Sequence, residues 1–127
     1  MELVYLVILL ALVEYAVFIG LVGAGRGKYG VEAPAMTGNA EWERLLRVQQ
    51  NTAEQLLLFI PGILGFALFV SPAWAAGLGC VFVVGRIVYF VGYRQAAGKR
   101  AVGVLMSIPI NLILVLGALV GLLINRF

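Results

Sequence analysis

The segment Arg44–Gln55, RLLRVQQNTAEQ, runs without a break into Leu56–Val70, LLLFIPGILGFALFV. A charged stretch and an apolar stretch therefore share one helix. At about 100° per residue, Arg44, Arg47, Asn51, Glu54 and Gln55 fall within about a third of the circumference, and Leu45, Leu46, Ala53, Leu56 and Leu57 lie opposite. With about 1.5 Å of rise per residue, Glu54 lies roughly 15 to 18 Å along the helix from an expected start near Trp42. That depth is inside the hydrocarbon of a bilayer. An ionised side chain at the centre of a membrane helix costs about 2.5 to 3.5 kcal/mol on insertion scales, so the stripe is expected to face partners, a polar ligand or a cavity rather than lipid.

Composition sets the class. The chain has 127 residues, of which 63% are hydrophobic and only 12% charged, and its mean hydropathy is +1.06. These values lie outside the range of soluble globular domains and identify an integral membrane protein. A single cysteine, Cys80, excludes an intrachain disulfide, and its apolar neighbours make it a filler without a redox role. With no His and no Asp in the chain, no metal site built from common ligand clusters is expected. The net charge of +3 resides in two loops and two helices, without a basic tail interleaved with aromatics, so nucleic acid is not an expected partner. The N-terminal apolar run lacks a charged leader and a small-residue cleavage site, and is read as a retained first span.

Four apolar segments, at about 3–22, 45–70, 73–93 and 101–124, each approach or exceed the ~20 residues that cross a bilayer. The expected fold is all-α: a bundle of four transmembrane helices forming a single domain over residues 1–127. AGRGKYGVEAPAMTGNAE, between the first two spans, reads as an irregular loop outside the hydrocarbon. The Ser71-Pro72 link is so short that spans two and three must be antiparallel neighbours. Four spans place loops one and three on one side, with Arg26, Lys28, Arg94, Lys99 and Arg100; only Arg126 lies on the other. The positive-inside rule then puts those loops and the polar stripe at the cytoplasmic face, with both termini opposite.

Span three carries a matching face, because Arg86, Tyr89, Tyr93 and, if the helix continues, Arg100 are spaced three, four and seven apart. Arg86 and Glu54 lie at comparable depth on neighbouring helices and are expected to pair; such a pair alone argues for architecture before ligand binding. Arg47, Asn51, Tyr89, Tyr93 and Arg100 add more donors than one carboxylate satisfies. Arg suits bidentate carboxylate recognition and Glu54 could receive an ammonium, so the set fits a zwitterion carrying extra carboxylates. Gln49 points away from Arg47 and Asn51, toward either a second subunit or the headgroups.

Together, WERLLRVQQNTAE (42–54) and GRIVYFVGYRQAAGKR (85–100) resemble the MAPEG family, the membrane-associated proteins in eicosanoid and glutathione metabolism, and the likeness covers the whole four-helix chain. It is carried by Glu43, Arg44, Arg47, Gln49, Asn51 and Glu54 in one pattern and by Arg86, Tyr89, Tyr93 and Arg100 in the other. The resemblance implies a homotrimer, with glutathione as co-substrate held between subunits near the cytosolic face and a lipophilic second substrate entering from the membrane lipids. It implies glutathione contacts from Arg47, Asn51, Glu54, Tyr89 and Tyr93 of one subunit and from Arg26 and Gln49 of the next. Arg100 matches the arginine that activates the thiol, since an adjacent guanidinium favours the thiolate. One departure is Gln55, where the glutathione-conjugating branch has Tyr; Gln still offers hydrogen bonds, which implies an altered contact rather than a lost site.

The leading expectation is thus a membrane glutathione transferase that can also act on hydroperoxides, with Arg100 as the catalytic residue. The alternative is a lipid-binding or scaffold protein of the same fold without chemistry; a transporter or channel lacks a polar path through the spans. Glu14, inside the first span, is expected to pair with a neighbouring helix or subunit. Asn111 is read as a cap or bridge, Trp42 and Trp74 as interfacial anchors, and the Gly117–Gly121 GxxxG pattern as incidental in a glycine-rich chain.

Overall fold

The computed structural model describes residues 1–95 and 101–126. The helices are α1 (Glu2–Tyr29), α2 (Ala40–Phe69), α3 (Pro72–Gln95) and α4 (Ala101–Arg126), and the described residues contain no strand. Each helix includes a stretch long and apolar enough to cross a membrane.

Helix α1 runs past the expected end at Val22 as far as Tyr29, through residues assigned above to the first loop. Its last turn carries Arg26 and Lys28, whose positive charges favour a helix C-terminus. The helix stops at Gly30, whose φ of 69° is left-handed and suits glycine. The N–H groups of Gly30 and Val31 both close on the Arg26 carbonyl.

Asn39 caps α2: its side-chain oxygen accepts from the Trp42 N–H at 3.0 Å, and Glu41 and Glu43 lie in the first turn, where negative charge is favoured. Ser71 does the same for α3, accepting from the Trp74 N–H at 3.3 Å, with Pro72 at the first helical position. Pro61 and Pro109 are accommodated inside α2 and α4.

Helix α1 packs on α2 and α3, and α4 packs against the same two helices. The largest core cluster joins Val4, Val7 and Ile8 of α1, Phe59 and Ile63 of α2, Phe82 of α3 and Leu114 of α4. The Phe59 and Phe82 rings stack with centroids 4.0 Å apart. Lipid tails are as apolar as these side chains, so close packing rather than escape from water holds such helices together. Gly117 and Gly121 contribute directly, contrary to the incidental reading. A Cβ at Gly117 would come within 2.6 Å of the Phe66 ring, and one at Gly121 within 2.7 Å of the Phe69 carbonyl oxygen. At Gly103 a Cβ would overlap the backbone of Tyr89.

Two further expectations change. Trp42 is no interfacial anchor: it is fully buried, and its indole N–H donates to the Val22 carbonyl at 3.0 Å, tying α2 to α1. A Trp N–H withdrawn from water needs such a partner. Cys80 is exposed on the outside of α3 rather than filling the core. Trp74 is exposed, as an anchor would be.

Candidate functional site

Arg86 is the organising side chain. It is 1% exposed and sits among four membrane-length helices, where a guanidinium requires hydrogen bonds and compensating charge. One terminal nitrogen donates to the Asn51 side-chain oxygen at 2.9 Å, joining α3 to α2. The guanidinium carbon lies 4.4 Å from the centre of the Tyr89 ring, within cation–π range. Tyr89 stacks in turn on Tyr93, with centroids 5.5 Å apart and ring planes 7° apart. The expected face of Arg86, Tyr89 and Tyr93 therefore exists as a continuous stack, and Phe18 of α1 and Val48 of α2 pack on the tyrosines.

Arg86 does not pair with Glu54. Positions 51 and 54 differ by one turn and about 60° around the helix, and Arg86 meets the nearer inward-facing one, Asn51. Glu54 is exposed on the outside of α2, as is Arg47, with Asn51 half-buried between them. Gln49 is half-buried on another side of α2.

Gln55 turns away from that face. Its side-chain oxygen accepts from the Asn111 amide of α4 at 2.6 Å, and the same Asn111 nitrogen reaches the Gln55 backbone carbonyl at 3.2 Å. Asn111 is thus a helix bridge, and it holds Gln55 inside the bundle. Arg26 donates to the Ala35 carbonyl at 2.8 Å and lies 4.7 Å over the Trp42 ring, which fixes the first loop and the start of α2 to the end of α1. Arg100 lies outside the described residues. Among the described residues, no group of three or more His, Cys, Asp or Glu could hold a metal ion.

The arrangement has two chemical parts. Behind is a buried layer of Arg86, Asn51, Tyr89 and Tyr93. In front are an uncovered cation, Arg47, and an uncovered anion, Glu54, seven positions apart and so about 10 Å along α2. Opposite charges at that separation match a ligand bearing both a carboxylate and an ammonium. Sequence reasoning missed the Gln55–Asn111 bridge and fully buried Thr52 and Ser107. Ser107 bonds back to the Gly103 carbonyl at 2.8 Å, a local pattern typical of hydroxyl residues in membrane helices. An outward groove of about 400 Å³ lies between α1 and α3, lined by Leu10, Val13, Val17, Phe18, Ile87 and Phe90 among others.

Comparison with known proteins agrees with this architecture. Residues 3–120 match the model of the MAPEG family. An uncharacterised protein, sll1147, from Synechocystis sp. is 50% identical over 93% of this chain and 86% of its own. Human microsomal glutathione S-transferase 2 is 42% identical over 77% of this chain and 67% of its own. Bovine leukotriene C4 synthase is 33% identical over 92% of this chain and 78% of its own. With nearly the whole chain matched and the four apolar helices in place, this protein belongs to the MAPEG family.

Proposed function

We propose that this protein is a membrane glutathione transferase, which activates the glutathione thiol for attack on a lipophilic electrophile or hydroperoxide. The observation that carries the reading is the Arg47–Asn51–Glu54 face of α2, charged and uncovered on a membrane-length helix and linked through Asn51 to Arg86 and the tyrosine stack. Charges so placed are costly against lipid. Glutathione offers two carboxylates and an ammonium, which Arg47 and Glu54 complement. Asn51, Tyr89 and Tyr93 supply further hydrogen bonds.

In a homotrimer, Arg26 and Gln49 of one subunit would complete the site of the next, and the outer face of α2 would be covered. Arg100 stabilises the thiolate. A free thiol with a pKa near 8.5 is mostly protonated at neutral pH, and each unit of depression corresponds to about 1.36 kcal/mol of preferential thiolate stabilisation. The thiolate sulfur forms a bond to the electrophilic carbon as the leaving group departs. With a hydroperoxide it attacks the terminal oxygen, the O–O bond breaks to release the alcohol, and a second glutathione reduces the resulting sulfenic acid to give glutathione disulfide and water. The apolar groove between α1 and α3 borders Phe18 and Phe90, which pack beside the tyrosines, and is suited to the hydrocarbon part of the second substrate. The site opens to the cytoplasm, so a reporter fused after Phe127 should report from the opposite side.

The test uses purified protein, glutathione and a model aryl halide. Wild type should turn over at least tenfold faster than Arg100→Ala, on the order of general contributions from an activated nucleophile, while glutathione binding survives the substitution. Equal rates would remove the catalytic role. Tight fatty-acid binding without glutathione binding would favour a lipid-binding scaffold.

A further inference from the structure

Helices α1 and α3 run in the same direction, because each is separated from the other by one antiparallel passage through α2. Their contact register can be read from a ring pair: Phe18 of α1 stacks on Phe90 of α3, with centroids 5.3 Å apart and planes 29° apart. Four residues earlier on each helix, one turn back on the same face, stand Glu14 and Arg86. Parallel helices with the same spacing keep the same level, so the carboxyl of α1 and the guanidinium of α3 stand at one depth in the bundle. No hydrogen bond joins the two, so the attraction between them acts through space.

The atoms on both sides have capacity to spare. Both carboxylate oxygens of Glu14 are buried without a hydrogen-bond partner, and the Nε of Arg86 is likewise buried without one. The other described carboxylate at comparable depth, Glu54, faces outward. Arg86 therefore donates a hydrogen bond to α2, lies over an aromatic ring of its own helix and stands level with the Glu14 carboxyl of α1.

We infer that Glu14 is a positioning residue for the glutathione site: it supplies the counter-charge that keeps Arg86 against Asn51 and Tyr89. This inference rests on the function proposed above. The physical reason is that a guanidinium stripped of its counter-ion in a membrane interior moves toward the nearest other anion or toward water. For Arg86, that movement would break the 2.9 Å bond to Asn51 and remove the cation from the face of the Tyr89 ring. The ligand-facing residues would lose their set orientation although none of them was changed. Glu14 also lines the groove between α1 and α3, but it does not touch glutathione in this scheme; its effect on glutathione binding reaches the site through Arg86.

The experiment compares wild type, Glu14→Gln, Glu14→Asp, Arg86→Met and the Glu14→Gln/Arg86→Met double variant in detergent. Calorimetric titration with glutathione, turnover at saturating glutathione and thermal melting are all recorded. Glu14→Gln should raise the glutathione Kd about tenfold while turnover at saturation stays within about twofold, and Glu14→Asp should recover part of the affinity. The double variant should melt above both single variants, because it leaves neither charge alone, yet bind glutathione no better than Arg86→Met. A folded Glu14→Gln variant with wild-type affinity would overturn the positioning role and leave the proposed function intact. A wild type that binds no glutathione would overturn both, and additive melting shifts would overturn the pairing of Glu14 with Arg86.

Discussion

The two ends of the bundle are held by different forces. Near the Ser71–Pro72 turn, cohesion comes chiefly from shape: Phe59 stacks on Phe82, and Gly117 and Gly121 let α4 approach Phe66 and Phe69 of α2, with one exposed polar contact, Asn125 to the Phe69 carbonyl at 3.1 Å. Toward the first loop, cohesion comes from directed polar contacts. Trp42 bonds to Val22, Arg86 to Asn51, and Asn111 to Gln55, with Arg26 over Trp42 and Arg86 over Tyr89. Packed apolar groups hold a bundle but recognise little. Polar groups in a membrane are costly unless satisfied, and those left over are available for a ligand.

This contrast predicts where substitutions are felt. Phe59→Ala should be the most damaging, destabilising by about 3 kcal/mol or more through a cavity. Melting in detergent would measure this, and glutathione affinity should stay within about twofold because the lesion is remote from the site. A large affinity loss would break the division between the two ends.

Gly103→Ala should cost about 1 to 3 kcal/mol, since its Cβ meets backbone rather than a movable side chain. Unlike Phe59→Ala, it should also weaken glutathione binding, because the displaced segment is Tyr89. Gly117→Ala, which meets only the Phe66 ring, should cost less in the same melts and leave binding unchanged.

Asn111→Ala should have the smallest effect on melting, about 1 kcal/mol, as membrane hydrogen bonds are individually modest. It frees the Gln55 side chain, and a changed glutathione affinity in this variant would show that Gln55 can reach the ligand face once released. Unchanged affinity would confine it to the bundle.

Helix number and class were legible because four apolar runs exceed what any soluble arrangement would bury, and the stripe on α2 was legible because charge inside such a run demands an explanation. Details that depend on register between helices were not. Distinguishing Glu54 from Asn51 as the Arg86 partner requires resolving three residues, about 4.5 Å of helix rise, from loop lengths alone. Opposite charge favoured Glu54; the side-chain directions favour Asn51. The expectation for Trp42 follows the statistical preference of tryptophan for interfaces, whereas the extension of α1 brings Gly25 and Arg26 against its ring and the Val22 carbonyl accepts its N–H. That extension was obscured by glycines at 23, 25 and 27, which weaken a helix without ending it. The Gln55–Asn111 bridge joins residues 56 positions apart, and local periodicity carries no information about such a pair.

Glutathione titration of wild type beside Arg47→Ala and Glu54→Gln addresses the charged face of α2 most directly. Wild type should bind, and each substitution should weaken binding about tenfold or more, as for truncating one partner of a charge-assisted contact, with melting temperatures little changed because both side chains are exposed. Wild type that does not bind, or variants that bind as tightly as wild type, would contradict the assignment of this face to glutathione.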